Sequence, residues 1–119
     1  MTYKKQIGNL GEDIATNYLK EKDYKIIARN EKISYQEIDI IASIKGITVF
    51  VEVKTSTFFD DYSAEMAMNK TKLKNFKKAI SMYSSIHKLD IDMCRFDLIA
   101  VYINKANNLP NIKHYIEIF

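Results

Sequence analysis

The stretch that decides the fold is Glu37-Ile38-Asp39-Ile40-Ile41-Ala42-Ser43-Ile44-Lys45-Gly46-Ile47-Thr48-Val49-Phe50-Val51-Glu52-Val53-Lys54. Its two halves are rich in β-branched residues and its middle is Lys45-Gly46, so it reads as two antiparallel strands closed by a tight turn. The register that sets Ile44 opposite Ile47 also sets Asp39 opposite Glu52 and Glu37 opposite Lys54. Opposed residues have Cβ atoms roughly 4.5–5.5 Å apart, and like charges placed there repel. A divalent cation between the carboxylates relieves that repulsion, and hard oxygen ligands suit Mg²⁺ or Mn²⁺. Alternation puts Val49, Val51 and Val53 on one face and Phe50, Glu52 and Lys54 on the other. Lys54 then falls beside the expected metal, where it can hold or deprotonate an attacking water. The plainer reading is a half-exposed strand whose polar side meets solvent, with Glu37 and Lys54 as an ordinary ion pair. Charges set within VFVEVK favour the site, because so apolar a strand is expected to be covered on both faces.

Outward from the hairpin, Leu10, Ile14 and Tyr18 recur beside Ala15 and Leu19, which predicts an amphipathic helix over residues 9–22. Glu12 shares a stripe with Ala15 and Leu19 and borders the buried face, so it can close the metal site as a third carboxylate. Taken alone, it reads first as a favourable acid in the first turn of a helix, and only second as a ligand. A short strand is expected over 24–30, followed by the hairpin strands at 37–42 and 47–54. Leu73, Phe76, Ile80 and Tyr83 predict a long second helix over 64–87, with strands at 95–103 and 112–118. The order is αβββαββ, an α/β fold with a mixed central sheet between two helices. Residues 55–63, with Phe58, Phe59, Asp60, Asp61 and Tyr62, show no periodicity and read as a mobile loop. Arg95 and Asp97 project to one side of their strand, where a structural anchor is the reading preferred to catalysis.

Composition narrows the class. The 119 residues are enough for one domain, and 47% are hydrophobic against only three Gly and one Pro, which excludes disordered and fibrous chains. Cys94 is the single cysteine, so no intramolecular disulfide forms, and with only His87 and His114 no Cys/His zinc cage can be built. Cys94 itself reads as a small buried hydrophobe. The sequence has no secretory leader pattern and no long apolar run, so a cytoplasmic protein that avoids membranes is expected. A net charge of +3 says little, but six lysines and no acid lie between Met66 and Leu89. With Leu73 and Ile80 as the buried stripe, Lys70, Lys74 and Lys77 form one flank suited to a nucleic-acid backbone.

Several segments together resemble the YraN family of endonuclease-like proteins. They are Gly8-x-x-Gly11-Glu12, Ala28-Arg29-Asn30, Glu37-Ile38-Asp39-Ile40-Ile41, Val49-Phe50-Val51-Glu52-Val53-Lys54-Thr55, Lys70 and Arg95-Phe96-Asp97. Two positions depart from the family's habit: Gln36 stands where Gly is usual, and Ser56 where a basic residue is usual. The resemblance implies the restriction-endonuclease-like fold with its αβββαβ core. The layout is also similar to that of archaeal Holliday junction resolvases, which implies a site of Glu12, Asp39, Glu52 and Lys54. The expected activity is therefore Mg²⁺- or Mn²⁺-dependent hydrolysis of phosphodiester bonds, with DNA, including branched DNA, as the favoured partner. The alternative is a nucleic-acid-binding module of the same fold with little or no turnover. The apolar stretch 115–119 could supply an edge for a homodimer or could equally finish the core.

Overall fold

The computed structural model describes residues 2–57, 69–104, 106–107 and 109–118. Helix α1 spans Tyr3–Glu21, strand β1 Lys25–Ile33, β2 Gln36–Ile44 and β3 Ile47–Ser56. Helix α2 spans Lys70–Ile86, a 3₁₀ turn Ile91–Met93, β4 Cys94–Ile103 and β5 Pro110–Tyr115. The strands lie in the order β1-β2-β3-β4-β5, antiparallel except for the parallel pair β3 and β4 that α2 connects. This is a mixed α/β sheet compatible with the αβββαβ core, in the order the sequence predicts.

The boundaries differ from expectation for identifiable reasons. Helix α1 begins at Tyr3, well before residue 9, because the Thr2 side chain caps it by accepting the Lys5 N–H at 3.2 Å. Strands β1 and β2 run on to a two-residue connection, Ser34-Tyr35, with Ile33 opposite Gln36. Asn69 caps α2 by accepting the Lys72 N–H at 2.9 Å. The portion of that helix expected from residue 64 lies outside the described residues, as do residues 58–63 of the expected loop. Strand β5 stops at Tyr115. Glu117 then takes a left-handed φ of 59°, and the Ile118 N–H donates to the Phe96 carbonyl at 2.9 Å. Residues 116–118 therefore turn back onto β4 and do not extend the edge proposed for a dimer.

Each helix covers one face. Ala15 and Leu19 of α1 pack on Ile40, Ala42, Val49, Val51, Ile99 and Val101. Phe76, Ala79, Ile80 and Tyr83 of α2 pack on Ile38, Ile41, Phe50 and Phe96. The buried stripe of α2 is thus centred on Phe76, Ile80 and Tyr83, with Leu73 only half-buried at its side. Each large apolar side chain so buried contributes about 1.5–3 kcal/mol.

Arg95 and Asp97 form the anchor expected of them. Asp97 is fully buried and bonded by Arg95 Nε at 2.9 Å, Arg95 Nη2 at 2.8 Å, His114 Nε2 at 2.7 Å and the Glu117 N–H at 3.0 Å. Arg95 Nη2 also donates to the Tyr24 hydroxyl at 2.8 Å, and the Tyr18 hydroxyl lies 3.0 Å from His114 Nδ1. The network ties α1, the start of β1, β4 and β5 together. Burial pushes the Asp97 carboxyl up, but its hydrogen bonds to His114, Arg95 and Glu117 outweigh that and hold it below the usual range.

Candidate active site

The turn at Lys45-Gly46 has φ of 48° and 81° at its two central residues, as a type I′ hairpin requires. It fixes the predicted register from Ile44 opposite Ile47 up to Ile40 opposite Val51. One step further the strands stop pairing through their backbones, and Asp39 Oδ2 accepts the Val53 N–H at 2.8 Å. Alternation breaks at the same point. Ile38 packs on the α2 side, whereas Ile40, two residues on, packs on the α1 side. On the neighbouring strand Arg29 pairs with Ile40 and Glu31 with Ile38, so Asn30 lies at the level of Asp39, and it adopts a left-handed φ of 52°. Both strands twist out of regular geometry where the carboxylate is presented.

The Asp39 and Glu52 side chains lie within hydrogen-bonding reach of each other, so a proton on Asp39 lets the two carboxyls sit side by side. Burial is the largest reason that the Asp39 carboxyl is pushed up to about 8; the bond to Glu52 and the charges of Glu52 and Glu37 add to it, while the Val53 amide opposes it. Glu12, from α1, is raised to about 6 by burial first and by the charge of Asp39 second. Arg29 and a hydrogen bond from Asn30 restrain that rise. Arg29 Nη2 itself stands 2.9 Å from Asp13 Oδ1 and 3.9 Å from Glu12 Oε1.

A cleft of about 520 Å³ gathers these groups, its lining including Gly8, Glu12, Asp39, Glu52, Lys54 and Lys72. All four residues predicted for the centre, Glu12, Asp39, Glu52 and Lys54, therefore share one cavity. Among the described residues no three His, Cys, Asp or Glu side chains sit together as a ready-made metal cage. The lysine flank is placed differently. Lys70, Lys74 and Lys77 are exposed, and the α2 lysine that lines the cleft is Lys72, with Nζ 3.4 Å from Glu52 Oε2. The spacing 72, 76, 79, 83 carries the signal that finds it, since Lys72 lies one turn ahead of Phe76 on the buried stripe.

Gly11 sets how near α1 approaches β3. A Cβ there would lie 2.7 Å from Thr55 Cβ and Cγ2, so the helix rests on the strand where residue 11 has no side chain. Glu12 and Lys54, each next in sequence to this contact, are held across the cleft by it.

Fold and cleft together define a mixed α/β protein whose polar site lies where a hairpin opens beneath the first helix. The chain belongs to the YraN family: the model described as "Uncharacterised protein family UPF0102" matches residues 11–101. It is 32% identical to a UPF0102 protein of Dictyoglomus thermophilum, over 97% of this chain and 98% of that one. It is 37% identical to a UPF0102 protein of Caldanaerobacter subterraneus subsp. tengcongensis, over 98% and 96%, and 35% identical to one of Flavobacterium psychrophilum, over 100% and 98%. No helix among the described residues is long and apolar enough to cross a membrane.

Proposed function

We propose that this protein is a metal-dependent nuclease that hydrolyses phosphodiester bonds of DNA, with the cleft of Asp39, Glu52, Lys54 and Glu12 as its active site. The observation that carries the reading is the Asp39–Glu52 pair, two half-buried carboxyl groups that line one cleft within reach of each other. A hard divalent cation, Mg²⁺ or Mn²⁺, fits that donor chemistry, because replacing the proton on Asp39 by a metal satisfies both oxygens and removes their repulsion. Asp39 and Glu52 would hold it. Glu12, which lines the same cleft, would complete the ion's shell together with water and phosphate oxygens.

Bound there, the ion would supply stabilisation of charge developing on the phosphate. The chain's own residues do the rest. Lys54, on the same face of β3 as Glu52, orients the attacking water. Glu12, raised to about 6, is ionised at neutral pH yet basic enough to accept a proton from that water. Lys72 meets a non-bridging phosphate oxygen, and the α2 lysines draw the polyanion towards the cleft.

That the described residues form no ready-made three-ligand cage is the observation that favours a binding module without turnover. A panel of labelled single-stranded, duplex, flap, four-way-junction and RNA substrates incubated with Mn²⁺ decides between the two. The nuclease reading expects cleavage by the wild type, lost in Lys54→Ala while Mn²⁺ affinity stays within about tenfold. Tight binding without any cleavage would establish the module instead.

A further inference from the structure

The hairpin joining β1 and β2 ends in an unusual residue for water. Tyr35 is 100% exposed at the tip, held out by the tight Ser34-Tyr35 connection in which Ser34 takes a left-handed φ of 57°. Beside it is a hollow of about 240 Å³ whose lining includes Ser34, Tyr35, Asn75, Lys78 and Met82. That hollow and the carboxylate cleft border the same ridge of α2. Lys72, Asn75, Lys78 and Met82 follow one another at steps of three and four, so they form a continuous row. Lys72 faces the cleft at one end, and the other three line the hollow. Along β2, Tyr35 precedes Asp39 by four residues, about 13 Å at roughly 3.3 Å per residue.

The surroundings select the occupant. From 67 to 88 the chain carries Lys70, Lys72, Lys74, Lys77, Lys78 and Lys88 with no acidic residue, which suits a polyanion. A cationic track and an aromatic ring held out at its side are the two components of a single-strand binding surface. We propose that Tyr35 is a stacking platform for an unpaired base, so that the cleft takes nucleic acid with a single-stranded segment beside the cut. This rests on the nuclease reading and narrows its substrate class. Inside a continuous duplex both faces of every base are covered, and a tyrosine ring has nothing to stack on. A tail, flap or splayed end offers an open face. The 13 Å interval corresponds to about four stacked-base rises of 3.4 Å, which sets the distance between scissile phosphate and stacked base.

Binding in chelator separates this proposal from the chemistry. The wild type, Tyr35→Ala and Tyr35→Phe are titrated against a blunt duplex and the same duplex with a single-stranded tail carrying 2-aminopurine. Tyr35→Ala is expected to weaken binding of the tailed duplex by roughly five- to 150-fold, the range of one base–aromatic stack. Tyr35→Phe retains the affinity, the blunt duplex is unaffected, and the 2-aminopurine signal is quenched by wild type and not by Tyr35→Ala. Equal affinity of wild type and Tyr35→Ala for the tailed duplex overturns the proposal, as does an equal loss on both duplexes. If Mn²⁺-dependent cleavage persists in that case, only the platform falls; if the wild type binds neither duplex and cuts nothing, the nuclease reading falls with it.

Discussion

Lys72 Nζ stands 3.4 Å from Glu52 Oε2, which ties the first turn of α2 to the carboxylate pair presented by β2 and β3. A lysine so placed competes with any cation the pair would hold. Lys72→Ala is therefore expected to tighten Mn²⁺ binding by up to about tenfold, the range of a partly exposed ion pair, and to weaken DNA binding. Calorimetry with and without DNA checks both signs. Weaker Mn²⁺ binding in the variant would show that Lys72 holds Glu52 in position.

The pH dependence follows from Asp39. Its folded-state value of about 8 lies above the ordinary 3.8, so between those limits the folded protein holds a proton that the unfolded chain has released. In chelator, this group's contribution is complete below about pH 4 and is lost as pH rises through 8. Asp39→Asn removes the dependence and is expected to raise the melting temperature at pH 8 by several degrees, since about 1 kcal/mol moves it by roughly 4–8 °C in a small domain. Melting curves of both proteins at pH 6 and pH 8.5 test this; a lower melting temperature for the variant at pH 8.5 contradicts it.

Metal binding must displace the same proton. Mn²⁺ affinity is expected to rise about tenfold per pH unit between pH 6 and 8 and to level off above, with about one proton released per ion. Titrations in buffers of different ionisation enthalpy count the proton, and a pH-independent affinity would remove Asp39 from the ligand set.

Two glycines on one helix give opposite outcomes. Nothing lies within 4 Å of a Cβ built at Gly8, so Gly8→Ala should stabilise α1 by about 0.5–1 kcal/mol. At Gly11 the same change drives a methyl against Thr55, at a cost of about 1–3 kcal/mol as α1 is lifted. Urea unfolding of both variants reads the contrast. Equal effects would mean that the helix shifts freely over β3.

What the sequence made legible and what it hid divide along the range of the interactions. Glu52 and Lys54 could be placed on one strand face, and Asp39 beside them at the end of the hairpin, because a two-residue turn and strand alternation act over a few residues. Glu12 followed from helical spacing. The break at Asp39 was not legible, because it coincides with Asn30 leaving the β region one strand away, and nothing in the spacing of β2 records it. The start of α1 was obscured by Gly8, which lowers helix propensity locally, and by the lack of an apolar repeat ahead of it; the Thr2 cap sets the start at Tyr3. Lys72 was hidden among its neighbours because the buried stripe was centred on Leu73 when packing had chosen Phe76. The exposure of Tyr35 was not legible, because it follows from β1 and β2 running on to a two-residue connection at Ser34-Tyr35.

The bond from the Val53 amide to Asp39 spans only 14 positions of chain and lies within a single hairpin. Such local structure can close in about 1–10 μs, long before a parallel strand such as β4 can be recruited across α2. Asp39 and Glu52 are therefore brought face to face early, while the sheet that will bury them is unfinished, and their mutual repulsion falls on the route to the native state as well as on its end. Refolding in chelator should accordingly slow as pH rises from 6 to 9, and Asp39→Asn should flatten that trend in stopped-flow measurements. The pair proposed to hold a cation would then also make a proton or an ion a participant in how quickly the chain folds.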